Sequence, residues 1–400
     1  MNRFLTFTLI IAFTVTGTFA GESLFGISNR SIGMLAVPYS APGMGRSYEI
    51  AASDSMQINY INYSMWPDVS LTSYSVKLGY SAANGEDKNG ETFFNDVANY
   101  AGGYLTIPVM KKRLSFGFGL LPYTDMEQRL KEDLEDGASN EILVRGGLSK
   151  SVINLSYRIM PNFGVGLAYE YSFGKITKDY RYDEEDATID PLLLDYEYRM
   201  YGHGAVFSAH YQPLDKLNLG LVYRPQVDLD FRIEPNTNSK EVDVATLQTL
   251  TLPAQFSFGA EYKLKERTNI GFDFMYQDWQ KEYALEEKKI GSPFTQYYSV
   301  SGGIERTPSK KLFTSFTEKV DYRAGLFYRQ LSQTSAENPV KEFGFSFGFS
   351  VPLQRFRSKI DLSGLVGKRG DVSDNAYQET FYRIGLSVSA METWFVKLED

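Results

Sequence analysis

The chain has 400 residues and a formal net charge of −8, and it contains no cysteine but 28 tyrosines and 28 phenylalanines. The acidic balance argues against a nucleic-acid binder, which would normally carry a basic face. The absence of cysteine excludes a disulfide scaffold and a thiol nucleophile. A soluble globule rarely needs so many Tyr and Phe residues, whereas a membrane barrel uses them in its aromatic girdles.

The first twenty residues have the pattern of a cleaved signal peptide. Arg3 supplies a positive charge, residues 4–15 form an apolar stretch, and residues 18–20 end in the small residue Ala20. The apolar stretch is too short to span a bilayer as a helix, and no later apolar run reaches 18 residues. We therefore expect cleavage near Ala20 and export to the periplasm, the outer membrane or the medium.

The next segment, residues 21–68, lacks a regular period. Its central part is small and polar and contains Gly43, Gly45 and Asp54, followed by two Asn-Tyr pairs that begin at Asn59 and Asn62. Glycines permit tight backbone turns, and the polar side chains could hydrogen-bond to a polar barrel wall. We interpret the segment as a hatch inside a barrel, because a regular strand would have joined the sheet.

From residue 69 onward the hydrophobic period is 2. In residues 343–351, for example, four phenylalanines and a valine alternate with glycines and serines. A β-strand sends alternate side chains to opposite faces, so each such stretch has one bulky and one small or polar face. The bulky face could point into the core of a soluble sandwich or into lipid around a barrel.

Connection lengths favour the barrel. The period predicts fourteen strands, at residues 70–81, 99–109, 114–123, 142–159, 162–182, 195–212, 217–232, 247–262, 268–283, 296–307, 319–330, 342–353, 358–368 and 380–395. Short and long links alternate between them, with residues 308–318 as the exception, which is typical of short periplasmic turns and long outer loops. We therefore predict an all-β, antiparallel, up-and-down transmembrane barrel over residues 69–395, with a short tail at residues 396–400.

The inner wall of such a barrel would be rich in Gly and Ser and would carry isolated charges. These are Lys77, Glu170, Asp273, Arg323, Asp361 and Arg383. A fourteen-stranded barrel is too wide for its own side chains to fill. The lumen is therefore expected to hold water or the hatch.

Catalytic and metal-binding patterns are weak. Ser208 and His210 share one strand face, but no third group orients them, and His203 is the only other histidine. The acidic residues 183–190 lack the spacing of a calcium loop and read as a solvated loop. We expect no enzyme activity, no cofactor and no metal.

Two further features bear on transport. Gly117, Gly119 and Pro122 lie in the third predicted strand, where glycines and a proline without an N–H group could kink it. Leu192, Leu193 and Leu194 lie in or beside an outer loop, where adjacent leucines either pack locally, begin a strand or capture an apolar molecule.

Three stretches resemble the FadL/TodX-type family of outer-membrane transporters. Residues 43–64 are similar to its Gly-rich N-terminal hatch motif, and residues 252–280 to its Leu-Pro strand and a following strand that closes in Asp-Trp. Residues 364–395 resemble the final hairpin of related barrels. The chain departs from the family at Asn62, which is followed by Tyr63 and Ser64 instead of Pro-Ala.

The resemblance implies uptake of hydrophobic molecules across the outer membrane of a Gram-negative bacterium. Ligand would be caught at outer loops, for which residues 192–194 are candidates, and could leave sideways at a kinked third strand. Glu170, Arg323 and Arg383 are candidate polar groups of the lumen, and the arginines could pair with a carboxylate. Expected partners are an apolar small molecule, outer-membrane lipid with lipopolysaccharide, and the barrel-assembly machinery during insertion of a monomer.

Two other functions compete with this hypothesis. A barrel of this shape could act as a scaffold or shuttle in a protein secretion system, in which case a packed lumen would be expected. A general porin is disfavoured by the hatch and by the absence of an evident charged constriction.

Overall fold

A computed structural model of the chain describes residues 23, 25, 32–133, 139–183, 192–235, 248–280, 294–309, 314–353 and 358–392. The predicted signal peptide, most of the acidic stretch at residues 183–190, and the tail at residues 396–400 lie outside these residues. Among the helices of the described part, none is long and apolar enough to cross a bilayer.

Within the described ranges, strands dominate. They are β1 (Met34–Leu35), β2 (Thr72–Asp87), β3 (Thr92–Met110), β4 (Leu114–Pro122), β5 (Thr124–Asp133), β6 (Ser139–Met160), β7 (Phe163–Asp183), β8 (Leu192–Leu214), β9 (Leu217–Arg224), β10 (Val227–Pro235), β11 (Gln248–Leu252), β12 (Gln255–Lys265), β13 (Thr268–Asp278), β14 (Gln296–Arg306), β15 (Asp321–Ser335), β16 (Asn338–Leu353), β17 (Ser358–Gly370) and β18 (Tyr377–Glu392). The helices are α1 (Ala41–Arg46), α2 (Val372–Asn375) and two short 3-10 helices at Tyr63–Asp68 and Phe316–Glu318.

The strands close into one antiparallel barrel. Each of the fourteen barrel strands pairs with its neighbours around the barrel, and β18 pairs with β2 from Tyr377↔Asp87 to Glu392↔Thr72. Three barrel strands are each built from two segments, namely β4 with β5, β9 with β10 and β11 with β12. The predicted fourteen-stranded up-and-down barrel is therefore confirmed, with β1 as an extra strand inside it.

Several predicted outer loops were wrong, because their residues are strand. Residues 82–98 mostly belong to β2 and β3, and residues 124–141 mostly to β5 and β6. The sequence of β2 shows why. Its last six residues, 82–87, do not alternate between bulky and small or polar side chains, although their pairing with β18 and β3 continues.

The outward face of the barrel is apolar and the inward face polar. Phe343, Phe345 and Phe347 of β16 are 54%, 63% and 57% exposed, whereas the alternate residues Ser346 and Ser350 are buried. Such an outward apolar band fits the hydrocarbon layer of a membrane. Most of the two- and three-residue turns, namely those after β3, β6, β8 and β12, lie at one end of the barrel, which is taken as the periplasmic end by the same rule.

The core of the molecule lies inside the barrel. Residues 39–69, called the luminal segment below, supply many of its largest fully buried side chains, including Tyr39, Tyr48, Tyr63 and Trp66. Trp66 and Tyr63 pack edge-to-face, with ring centroids 5.5 Å apart, and Trp66 makes the same contact with Tyr104 of β3 at 5.3 Å. An irregular chain can fill this space because the inner wall is lined by small residues.

Candidate functional site: a wall opening and the cavity behind it

The barrel wall is interrupted between β3 and β5. β3 pairs with β4 from Gly103 to Met110, whereas its upper half, from Thr92 to Gly102, pairs with β2. β5 pairs with β6 from Met126 to Asp133 and with β1 at Thr124 and Asp125. Among the described residues, no register joins β5 to β3, so a slot opens between the two strands above Gly102.

Glycines on both sides of the slot have backbone conformations that other residues rarely adopt. Gly102 has φ +129° beside the β2–β3 register shift, and on β6 Gly146 and Gly147 have φ +121° and +156°. A Cβ at Gly147 would clash with the carbonyl oxygen of Thr124, the first residue of β5. The bend that separates β5 from β3 thus depends on a residue without a side chain.

A cavity of about 480 Å³ lies behind the slot. Leu120 and Pro122 of β4 and Tyr100 and Val97 of β3 line it on the side of the opening. The luminal segment contributes to the lining of the cavity through Tyr39, Met44 and Ser47, and Leu35 and Val37 of the preceding chain also line it. The cavity is therefore partly apolar and is bounded by both the wall and the luminal segment.

Three cationic side chains also line the cavity. Lys77 donates from Nζ to the Tyr39 carbonyl oxygen at 2.8 Å, and Arg329 donates from Nη1 to Glu342 Oε1 at 2.7 Å. Arg383 is half-buried, and its guanidinium lies 5.2 Å from the centre of the Phe381 ring. Cations next to an apolar surface suit a ligand with an apolar body and an anionic group.

One carboxylate on the wall positions the start of the luminal segment. Asp273 of β13 accepts hydrogen bonds from the Glu49 N–H at 2.7 Å, from the Ile50 N–H at 3.1 Å and from the Tyr39 hydroxyl at 3.2 Å. Within the segment, the Glu49 carboxylate accepts the N–H groups of Ser40 and Tyr60 at 2.7 Å and 3.0 Å. Burial raises the pKa of the Glu49 carboxyl above its ordinary value.

Ion pairs fasten the luminal segment at its periplasmic side. Arg46 Nη1 lies 2.9 Å from Glu305 Oε2, and Glu305 also pairs with Arg323 of β15 at 2.6 Å. Asp54 pairs with Lys359 of β17 at 3.2 Å, and Asp68 pairs with Arg158 of β6. The four wall residues involved lie on β14, β15, β17 and β6, so the fastening runs around much of the barrel.

The glycines and asparagines predicted for the hatch have several roles. Gly43 and Gly45 lie in α1, not in turns, so the expected reason for them was wrong. A Cβ on Gly43 would meet the Glu49 carboxylate, and a Cβ on Gly45 would lie 3.0 Å from the Gly348 Cα. Asn62 donates to the wall at the Ala209 carbonyl (3.1 Å), whereas Asn59 donates to the segment's own Glu49 carbonyl.

The predicted kink residues lie on β4, just below the break. A Cβ on Gly117 would meet the Trp66 ring, and a Cβ on Gly119 the Tyr104 ring, so both glycines make room for aromatic side chains inside the barrel. Pro122 is the last residue of β4 and lines the cavity. The strand is interrupted one residue later, at Tyr123.

The predicted capture residues, 192–194, begin β8 and pair with Tyr182, Arg181 and Tyr180 of β7. The Leu193 side chain is 57% exposed on the charged outer face, above the apolar band. Leu193 does not line the cavity described above.

The predicted polar residues of the lumen separate into two groups. Glu170 pairs with Lys150 at 3.0 Å and Arg224 at 3.2 Å, and Arg323 is held by Glu305. Both residues take part in ion-pair networks of the wall, whereas Arg383 lines the cavity.

Ser208 and His210 both contact Ser64 of the luminal segment. The Ser208 hydroxyl accepts the Ser64 N–H at 3.1 Å, and His210 Nδ1 lies 3.1 Å from the Ser64 carbonyl oxygen. The Ser208 hydroxyl also donates to the Gly166 carbonyl of β7 at 3.2 Å. Both side chains thus hold backbone groups of the luminal segment and the wall, which is a structural arrangement. In the described part of the chain, no group of three His, Asp or Glu side chains could hold a metal ion.

Sequence reasoning missed the residues that define the opening and the cavity. The Gly-Gly doublet at 146–147 carried a signal, because glycines inside a strand pattern indicate a bulge or close backbone approach. Arg329 and Glu49 carried no such signal in the sequence, since each becomes important only through its position inside the closed barrel.

The fold and its inner segment define a transmembrane β-barrel with a filled lumen. Three solved structures have the same fold. A Pseudomonas aeruginosa FadL homologue has 12% sequence identity and a TM-score of 0.63, and the match covers 90% of this chain and 99% of that chain. The Pseudomonas putida toluene transporter TodX has 11% identity, a TM-score of 0.60 and coverages of 89% and 99%, and the monoaromatic hydrocarbon channel CymD has 13% identity, a TM-score of 0.51 and coverages of 92% and 99%. The FadL/TodX resemblance is thereby confirmed for the fold.

A comparison with curated protein sequences found no match. The family model described as BamG matches residues 2–399. The chain therefore belongs to the BamG family.

Proposed function

We propose that this barrel takes up amphiphilic molecules, with an apolar chain and an anionic group, from the outer leaflet of the outer membrane. The observation that carries the proposal is the slot between β3 and β5, which leads to a cavity with both apolar and cationic walls. The solved structures with this fold include proteins described as a toluene transporter and a monoaromatic hydrocarbon channel.

The height of the slot supports entrance from the membrane surface. On β7 the outward residues change from aromatic to charged between Phe173 and Lys175, which marks the upper limit of the apolar band. Lys175 pairs with Gly147 of β6, beside the start of β5. The slot thus begins at the boundary between lipid and water, where an amphiphile places its polar group.

The lining favours long-chain carboxylates over neutral hydrocarbons. Burial of each CH₂ group contributes about 0.8 kcal/mol, which would drive the chain into the cavity. Lys77, Arg329 and Arg383 would bind the anionic group by charge-assisted hydrogen bonds. An aromatic hydrocarbon would use the apolar part alone and leave the cations without a ligand.

Passage to the periplasm would require the luminal segment to move as a hatch. The segment lines the cavity through Tyr39, Met44 and Ser47 and is fastened by Arg46, Asp54 and Asp68. In this proposal a bound ligand competes for Lys77, which holds the Tyr39 carbonyl, and so loosens the start of the segment.

The proposal is tested by measuring the uptake of a radiolabelled long-chain fatty acid. Uptake is compared between a deletion strain and the same strain carrying the gene. We expect uptake to fall several-fold in the deletion strain and to be restored by the gene. Equal uptake of fatty acids in both strains would refute it.

A second candidate is a role in protein assembly at the outer membrane. It is supported by membership in the BamG family, whose name refers to the barrel-assembly machinery, and by a lumen packed with ion pairs rather than open to water. In that role the barrel would serve as a scaffold for protein partners.

The two candidates predict different defects in the deletion strain. Loss of a transporter lowers fatty-acid uptake and leaves other outer-membrane barrels at their normal levels. Loss of an assembly component lowers the amounts of folded barrels, measured by quantitative proteomics of outer membranes, even in medium without fatty acids.

A further inference from the structure

The longest described connection at the periplasmic end lies between β14 and β15. Residues 307–320 join Arg306 to Asp321, whereas the links after β3, β6, β8 and β12 contain two or three residues. Barrels of this type keep their periplasmic turns short. A fourteen-residue connection at this end is therefore an added feature and not a requirement of barrel closure.

Hydrogen bonds join the described parts of this connection to each other and to the neighbouring turn. The Ser309 N–H donates to the Glu318 carbonyl at 2.7 Å, which closes the connection on itself. Arg267, in the neighbouring turn between β12 and β13, donates from Nε to the Thr307 carbonyl and from Nη2 to the Glu318 carbonyl, both at 3.0 Å. The Thr307 N–H donates back to the Arg267 carbonyl at 2.9 Å.

This fixed backbone presents an aromatic side chain to water. Phe316 begins the 3-10 helix Phe316–Glu318 and is 65% exposed, and its neighbours Ser315 and Thr317 are exposed as well. An ordered loop that exposes a large apolar side chain is typical of a binding surface, where aromatic residues supply much of the affinity.

The surroundings of Phe316 are basic although the whole chain is acidic. Arg306, Lys319 and Lys265 lie on the connection or beside it. The described carboxylates of this region that are not buried are Glu266 and Glu318, since Glu305 and Asp321 lie buried inside the barrel. Together with Arg267 this makes four cations against two anions. A partner with an acidic rim would be attracted to this surface.

The membrane is a less suitable occupant than a protein. Tyr322, which pairs with Arg306 at the start of β15, is 41% exposed on the outward face and already occupies the position of an interfacial aromatic residue. The connection begins beyond that level, and hydroxyl side chains flank Phe316 instead of further apolar ones.

We propose that residues 314–319, with Phe316 at the centre and Arg306 and Lys319 at the rim, form a docking site for a periplasmic protein domain with an apolar pocket and an acidic border. This site lies at the periplasmic end, is separate from the slot and cavity, and does not depend on the uptake function proposed above.

The first experiment places p-benzoylphenylalanine at position 316 of the full-length protein in its native outer membrane. After irradiation, mass spectrometry identifies the cross-linked protein and peptide. That protein is then purified, and its binding to wild type, Phe316→Ser, Lys319→Glu and the matched control Thr317→Ala is measured in phospholipid nanodiscs. Heat-modifiable migration on gels verifies that each variant is folded.

We expect a protein adduct, a loss of affinity of about tenfold or more for Phe316→Ser, and a smaller loss for Lys319→Glu that decreases at high salt. Thr317→Ala should bind within about twofold of wild type. Equal affinity for Phe316→Ser would overturn the proposal. So would adducts with lipid alone, or quenching of a Phe316→Trp variant by brominated phospholipids, since both would assign Phe316 to the membrane.

Discussion

The hydroxyl oxygens of Ser47 and Ser346 lie 2.7 Å apart, the first on the luminal segment and the second on the inner face of β16. Ser346 also donates to the Gly45 carbonyl at 3.0 Å. This pair joins the segment directly to the wall at a residue that lines the cavity. Because the chain has no cysteine of its own, the pair can be converted into a specific covalent lock.

Ser47→Cys with Ser346→Cys is expected to form a disulfide, because the two side chains already face each other at a hydrogen-bond distance of 2.7 Å and a small movement would bring two sulfur atoms to bonding distance. If ligand passage needs the segment to move, fatty-acid uptake should be lost under oxidising conditions and recover after reduction. The control pair Ser75→Cys with Ser389→Cys has hydroxyl oxygens 3.1 Å apart on adjacent wall strands. It alters the partner of the Tyr60 hydroxyl at Ser75 but does not lock the segment to the wall, so oxidation should leave its uptake unchanged. Undiminished uptake in the locked segment would exclude a hatch movement.

Arg383→Gln should weaken the binding of an anionic amphiphile by about tenfold, the usual value of a charge-assisted hydrogen bond. Binding of the alcohol of equal chain length should change little, since it carries no charge. Calorimetry in detergent with dodecanoate and dodecanol measures both affinities. Lys88→Gln, an exposed cation in the turn between β2 and β3, is the control, and equal losses for both ligands would contradict a headgroup role of Arg383.

Gly147→Ala should destabilise the barrel by about 1–3 kcal/mol, the usual cost of an unfavourable backbone conformation. The added methyl group would meet the Thr124 carbonyl at the start of β5. The thermal midpoint, followed by gel migration, measures the loss. Gly90→Ala also has positive φ but nothing within 4 Å of its Cβ, so it should cost less, and equal losses would mean that the contact with Thr124 is unimportant.

Glu305→Gln should destabilise the packed lumen by about 3–5 kcal/mol, because it leaves Arg46 and Arg323 buried without their shared carboxylate. The change is measured as a lower thermal midpoint and as faster proteolysis within residues 39–69. Glu318→Gln removes a long and partly exposed ion pair with Arg267 at 3.9 Å and should cost less than about 1 kcal/mol. Similar effects of both variants would show that the Arg46 pair does not hold the segment.

Stability relative to a Glu49→Gln variant should depend on pH. The pKa of Glu49 is raised by burial, so the folded chain binds this proton more tightly than the unfolded chain. Its favourable contribution is complete below the ordinary value of 4.5 and is lost as pH rises through the raised pKa. The difference between the thermal midpoints of wild type and Glu49→Gln should therefore fall with increasing pH. A difference that rises with pH would contradict a raised pKa of Glu49.

The period-2 pattern and the alternation of link lengths determined the barrel, its fourteen strands and the irregular segment before them. These features are local, because side-chain alternation and turn length are properties of neighbouring residues. The pattern failed where strands rise above the apolar band, as in β5 and the outer part of β2. There the sequence is mostly small or polar and does not alternate, and pairing continues without a hydrophobic signal.

The functional geometry was decided by the tertiary structure. The sequence by itself marked Pro122 and the charges of the lumen, but it could not tell that Arg323 is fastened to Glu305 while Arg383 lines a cavity. Nor could it tell that β5 separates from β3, because that depends on which strand edges meet after the barrel closes. Closure brings Lys77, Arg329 and Tyr39 together from distant parts of the chain, and only this approach of remote residues creates a cavity with one apolar and one cationic side.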